Sequence, residues 1–257
     1  MSVLTLKYKR LKKISENLIS NYYEGSINNG TKKVLICEFK SDYLNASIIH
    51  QLIRDSEKLV KIKHPNLISL IDFQYDGNVF YGIYEYPNTL VTLESFLKRS
   101  VKKDLKLLWK IAVQIISTLS ALEHHGLCHG NLNLSSILIN DDNQIILYKT
   151  LLPVRVFKSI INQFPVVEDC IFYAPEFIQR QEYSIKSDIY SFGIILYVFF
   201  GKGWPYKYSN YVLDLKKSFL KKRTPFEPVS KQIPEKLGII IDLCLQKDKN
   251  RRFDSFD

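Results

Sequence analysis

The stretch His129-Gly130-Asn131-Leu132-Asn133-Leu134-Ser135-Ser136-Ile137-Leu138 decides how the rest of the chain is read. Its Gly, Asn and Ser residues are turn formers, and it ends on two apolar residues. Upstream, Leu108, Ile111, Ala112, Ile115, Ile116, Leu119 and Leu122 recur at helical spacing, which predicts a long helix over 105–125. Downstream, 144–148 reads as a strand after the turn-forming run Asn140 to Asn143. A polar loop between a long helix and a strand is therefore expected at 129–138.

Working outward, residues 6–40 suggest a small antiparallel sheet. Strands are expected over 11–21, 22–28 and 34–39, with a turn at Asn28-Asn29-Gly30. Alternation in the third strand places Leu35, Cys37 and Phe39 on one face and Lys40 on the other. Helical spacing of Ile49, Leu52, Ile53, Leu59, Val60 and Ile62 predicts a helix over 47–63. Two strands, 67–73 and 79–86, flank Asp76-Gly77, and a short helix is expected over 93–98. Beyond the central loop, Ala174-Pro175-Glu176 precedes an apolar helix that ends at Phe200.

The chain has 257 residues, 46% hydrophobic and 24% charged, enough for one large domain or two lobes. Met1 to Lys13 is basic with no apolar core after it, so no signal peptide is expected. The longest apolar run, Gly193 to Gly201, is far short of a membrane span, so none is expected. Cys37, Cys128, Cys170 and Cys244 form no C-x-x-C pair. They read as buried thiols in the cytoplasm or another reducing intracellular compartment. The net charge is +10, with basic clusters at Lys7 to Lys13, Lys98 to Lys103 and Lys216 to Arg223. The first expectation for these is dispersed, solvated lysines; the second is attraction to an acidic partner, a nucleic acid or an anionic membrane. No nucleic-acid module accompanies them, so a nucleic acid is not an expected partner.

The central stretch resembles the catalytic loop of protein kinases, H-R-D-L-x-x-x-N followed by two apolar residues. Lys63-His64-Pro65-Asn66-Leu67, the unaltered Ala174-Pro175-Glu176, Ser187-Asp188-Ile189-Tyr190-Ser191-Phe192-Gly193 and Cys244-Leu245-Gln246-Lys247-Asp248-Lys249-Asn250-Arg251-Arg252-Phe253 resemble further motifs of that family, in its order. The resemblance covers residues 8–257. It implies an α+β, bilobal fold: a small, mainly antiparallel β N-lobe with one helix (1–86), a hinge (87–91) and a larger, mainly helical C-lobe (92–257). It also implies a buried Glu176–Arg252 ion pair, and Asp188 accepting hydrogen bonds from the backbone of the loop that His129 opens.

The same resemblance marks what is missing. The loop's base is Asn131, a neutral amide, and its metal-binding Asn is Ser136. The phosphate-pairing lysine is Cys37, eighteen residues before Asp55 at the usual glutamate position of the first helix. The glycine-rich turn is replaced by Ser15, Asn17 and Ser20, with Glu16 among them. The magnesium-binding D-F-G triplet is Lys149-Thr150-Leu151, which opens with a cation. Tyr22 and Leu35 stand where smaller residues cover adenine, Leu138 stands below it, and Tyr84 at its back. The segment 152–173 offers Ser159 as a hydroxyl, but the arginine that clamps a phosphate is Gly130.

The expectation is a degenerate kinase-like domain, a pseudokinase, that requires no cofactor and acts by binding another protein. Two alternatives remain open. One is an enzyme with displaced groups, using Lys40 or Lys149 for phosphate and Asp141 or Asp142 for metal. The other is a sensor that binds ATP weakly without magnesium. The basic stretch 216–223 is the candidate interaction surface.

Overall fold

The computed structural model describes residues 7–16, 19–27, 30, 32–99, 104–149, 169–180, 182–207 and 211–257. Asn17, Thr150, Leu151, Ser159 and most of the 152–173 segment lie outside the described residues. The chain divides into two compact units, Met1–Leu90 and Val91–Asp257.

The first unit is one antiparallel sheet and one helix. Strands β1 (Tyr8–Glu16), β2 (Ser20–Ile27), β3 (Lys32–Phe39), β4 (Leu70–Tyr75) and β5 (Phe80–Glu85) lie in the order β1-β2-β3-β5-β4. Helix α1 spans Ala46–Leu59, and the Asn45 side chain caps it by accepting from the Ile48 N–H. The first two strands do not begin and end where alternation put them. The register of β1 on β2 slips between Arg10 and Lys12 and again between Lys13 and Ser15, and each slip breaks the period of two. In the third strand Leu35, Cys37 and Phe39 share one buried face, and Val34 and Ile36 on the other face are buried too. Val34 and Ile36 cluster there with Tyr8, Tyr81 and Ile83, while Lys32 and Lys33 at the start of the strand are exposed.

Three cations of the basic cluster at the start of the chain are paired rather than simply solvated. Lys7 bridges to Asp72 at 3.0 Å, Arg10 to Glu38, and Lys13 to Glu16 at 2.8 Å.

The second unit is mainly helical. It contains α2 (Leu93–Arg99), α3 (Leu105–His124), the two-stranded ribbon β6 (Ile137–Ile139) and β7 (Ile145–Leu147), α4 (Pro175–Arg180), α5 (Ile185–Phe200), α6 (Val212–Leu220) and α7 (Glu235–Cys244). Asp104 caps α3, accepting from the Lys106 and Leu107 N–H groups. By length and composition α3 could cross a membrane, which the search for contiguous apolar runs missed. Its Leu108, Ile111, Ala112, Ile115, Leu119 and Leu122 face is buried in the unit and packs on α5 and β7. Helix α5 is apolar all round and buried along nearly its whole length.

Glycine at 193 sets the closest helix contact. A Cβ there would lie 2.6 Å from the Cβ of Cys244 on α7. None of the four cysteines forms a disulfide; three are buried, and Cys128, against expectation, is exposed. Burial pushes the Cys170 and Cys244 thiols up to about 12, which keeps both protonated.

Candidate functional site: the loop of the second unit and the sheet positions of the first

The central loop is held from below by one carboxylate. Asp188, in the first turn of α5, is fully buried and accepts from the backbone N–H of His129 at 2.7 Å and of Gly130 at 3.3 Å. The Tyr183 hydroxyl donates to its other side. Burial raises the Asp188 carboxyl to about 6, with these donors pulling the other way. Two successive amides can meet one carboxylate because Gly130 takes the left-handed conformation, φ 82°, open to glycine at little cost.

His129 is fully buried as well, and burial lowers its imidazole to about 3, so it is neutral. Its Nδ1 accepts from the Asn131 N–H at 3.3 Å. The ring therefore shapes the turn of the loop and holds no proton for exchange at neutral pH.

The two positions that would carry chemistry in a kinase loop are occupied by groups already in use. The Asn131 side chain is buried, and its Oδ1 accepts from Asn133 Nδ2 at 3.2 Å and from the Tyr173 hydroxyl at 3.5 Å. Ser136 is fully buried: its hydroxyl donates to the Asn133 carbonyl at 2.9 Å and accepts from the Asn133 N–H at 3.0 Å. The Asn133 side chain returns the bond, accepting from the Ser136 N–H at 2.8 Å. This capping box closes the 3-10 turn Leu134–Ser136. Ser135 ties the turn to Asp169 at 2.8 Å.

Lys149, at the start of the metal-binding triplet, has φ 60° and lays its ammonium 5.1 Å from the centre of the Tyr148 ring. Magnesium takes hard oxygen ligands in octahedral array. A capped serine and a cation do not fit it, and among the described residues no cluster of acids, histidines or cysteines fits a metal elsewhere. Asp141 and Asp142 are exposed in the β6–β7 turn, whose bonds come from Asn140 accepting the Gln144 N–H at 2.8 Å and Lys110 donating to the Asp142 carbonyl.

In the first unit, Tyr22, Cys37 and Gly82 are paired across β2, β3 and β5, and Leu35 pairs with Tyr84 in the next row. Tyr22, Leu35, Cys37 and Tyr84 are all buried. The Tyr84 ring leans over Gly82, whose hydrogen leaves the space; a Cβ there would meet the ring at 3.0 Å. This face presents phenols, a thiol and an isobutyl group, with no cation for phosphate. Lys40 lies outside it, 4.0 Å from Glu16. Asp55 is half-buried and not simply solvated. Burial raises its carboxyl, opposed by a hydrogen bond from Gln51 and by the charges of Lys58 and Arg54. In the second unit Leu138, on β6, is buried and bridged to Thr92.

The frame around the loop is complete. Arg252 forms a bidentate pair with Glu176, both contacts at 2.8 Å, with no exposed guanidinium surface. Its remaining donors meet the carbonyls of Gln246 at 2.8 Å, Lys186 at 2.8 Å and Lys247 at 3.4 Å. Ser187 gives Glu176 a third donor at 2.8 Å. Every charge of this buried pair is met, the condition under which such a pair is tolerated.

The family model for protein tyrosine and serine/threonine kinases matches residues 9–256. This chain is a member of the protein kinase family. Among its relatives, a probable serine/threonine-protein kinase of Clostridium acetobutylicum is 27% identical over 222 residues, 86% of this chain and 33% of that protein. A probable inactive serine/threonine-protein kinase of Dictyostelium discoideum is 26% identical over 255 residues, 89% of this chain and 20% of that protein. A second probable inactive kinase of the same organism is 27% identical over 196 residues, 73% of this chain and 35% of that protein. The kinase domain thus spans about a fifth to a third of the length of these relatives.

Sequence reading found the substituted loop residues but not what occupies them. The capping role of Asn133 and the Tyr173 hydroxyl beside Asn131 depend on contacts that no motif encodes. An Asn three residues before a Ser was the available signal for the first; there was none for the second.

Proposed function

We propose that this kinase domain transfers no phosphate and works by binding another protein, as a scaffold or an allosteric regulator. One observation carries the reading: the side chains at the base and metal positions, Asn131 and Ser136, are buried and spent on the loop's own hydrogen bonds. Phosphoryl transfer depends on positioning and on stabilising phosphate charge. Cys37 and Lys149 contribute neither a clamp where the family places it nor a metal ligand. Two relatives named as inactive kinases support the reading; the Clostridium relative carries no such qualifier.

Thermal unfolding with and without excess ATP, each with and without magnesium, tests it. A ligand at about 100 times its Kd stabilises by about 2.7 kcal/mol. For a chain of this size that is a rise of several degrees, at about 2–4 °C per kcal/mol. No shift and no radiolabel transfer are the expected results. A shift without magnesium identifies a nucleotide sensor; a magnesium-dependent shift with transfer overturns the proposal.

A further inference from the structure

One charged surface of the second unit is not used by anything above. Lys207, Lys217, Lys221 and Lys222 line a recess of about 300 Å³ together with Tyr206, Ser218, Thr224, Pro205 and Asp214. All four lysines are exposed, and none joins an ion pair among the described residues. In the basic cluster at residues 7–13, by comparison, Lys7, Arg10 and Lys13 have acidic partners. Four ammonium groups around one carboxylate leave a strong local excess of positive charge.

The walls are fixed. Thr224 donates its N–H to the Pro205 carbonyl at 2.9 Å, and the Tyr197 hydroxyl reaches the Pro225 carbonyl at 2.8 Å. Lys247 donates to the Lys221 carbonyl at 2.7 Å, and Arg223 is held by Asp242. The loop after α6 thus meets a ligand with its backbone already placed, which lowers the ordering cost of binding.

The donor set selects the ligand chemistry. Arg223, the one guanidinium in the segment, is committed to Asp242. The Ser218 hydroxyl donates to the Asp214 carbonyl at 2.9 Å. What remains are ammonium groups, which act as point charges with rotatable donors, and the Thr224 hydroxyl. These suit a tetrahedral dianion better than a planar carboxylate, which favours the arginine fork. The volume admits one phosphorylated side chain. Apolar Leu213 and Leu220 stand exposed on the same helix, as contact for residues flanking the phosphate. A single side chain can enter the recess, whereas a lipid plane meets only its rim; the Asp214 carboxylate opposes an anion from either source.

We propose that this recess docks a phosphoserine or phosphothreonine of a partner protein. The proposal rests on the scaffold reading only in naming a protein as the partner; the binding measured below is independent of ATP and of phosphate transfer, so either can fail alone.

The full chain, immobilised at about 0.15 M salt where the Debye length is about 8 Å, is offered a degenerate phosphoserine and phosphothreonine peptide pool and its unphosphorylated counterpart. Inorganic phosphate and vesicles containing anionic lipid are offered in parallel. A K217Q/K221Q/K222Q variant is compared with K61Q/K106Q/K231Q, which removes the same charge from exposed lysines elsewhere. The phosphorylated pool should bind at least tenfold more tightly than the unphosphorylated pool. The recess variant should lose at least tenfold, because it removes three charged donors, and the remote variant less than about threefold. Equal binding of the two pools overturns the proposal, as does an equal loss in the two variants. Recess-dependent uptake by vesicles or by inorganic phosphate alone, without peptide binding, overturns it in favour of a lipid or free-anion site.

Discussion

At the scale of the residue, the loop shows side chains at two catalytic positions of the kinase family engaged in the loop's own hydrogen bonds. Asn131 keeps an oxygen where the family has a carboxylate, but that oxygen now receives Asn133 and Tyr173. N131D should therefore fold, since a carboxylate accepts the same bonds, and should show no phosphate transfer in a radiolabel assay because Ser136, Cys37 and Lys149 are unchanged. Transfer by N131D would mean that the clamp and metal are supplied by other groups. The ion pair beside the loop gives the opposite case, a residue whose family role is retained. Removing one partner of a buried pair costs about 3–5 kcal/mol, so R252M or E176Q should lower stability by that order in denaturant titrations. A double variant should lose less than the sum of the singles, because each single strands one buried charge and the double strands none. These residues were legible through the family resemblance, because Glu176, Asp188 and Arg252 each stand in a motif whose implied role is the one the structure shows. The Asn133 cap was not, because its meaning lies in backbone geometry.

At the scale of the element, close approach and loop closure make separate demands. Helices α5 and α7 come together at Gly193, where a Cβ would stand 2.6 Å from Cys244 Cβ and 3.0 Å from Leu245. G193A should cost about 1–3 kcal/mol by overpacking, visible as a lower denaturation midpoint with unchanged slope. The 3-10 turn of the loop depends on Asn133, whose side chain accepts from Ser136 N–H at 2.8 Å. N133A should cost about 0.5–2 kcal/mol, and N133D, which keeps the acceptor, should cost less. Sequence periodicity located most elements, because Leu and Ile at spacings of three and four mark a buried helix face regardless of neighbours. It misplaced the first two strands, where two register slips reset the alternation. It placed Leu35, Cys37 and Phe39 of β3 on one face but did not speak to the burial of Val34 and Ile36 on the other, because their neighbours Tyr8 and Tyr81 come from distant parts of the chain.

At the scale of the molecule, stability is governed by groups from both kinds of position, and its pH dependence follows from two buried neighbours with opposite sign. Burial holds His129 at about 3 in the folded protein, below the ordinary 6.5. Between those values the unfolded chain binds a proton that the folded chain refuses, so stability falls as pH falls. Burial raises Asp188 from 3.8 to about 6. Between those values the folded chain holds a proton that the unfolded chain lacks, so stability rises as pH falls. Each slope is at most about 1.4 kcal/mol per pH unit. They oppose one another between about 6 and 4. Below that window His129 acts alone, joined by carboxylates held low by their lysine partners, such as Glu182 by Lys249 and Asp254 by Lys186. Stability should thus be nearly level from pH 6 to 4 and drop steeply below 4. Both tryptophans, Trp109 and Trp204, lie in the second unit with His129 and Asp188, so fluorescence-monitored urea titrations report the relevant unit. D188N removes the opposing slope, and its stability should decline continuously from pH 6.5 downward, whatever its absolute value. A D188N curve parallel to that of the unaltered protein would show that Asp188 titrates at its ordinary value, and that its three donors offset its burial.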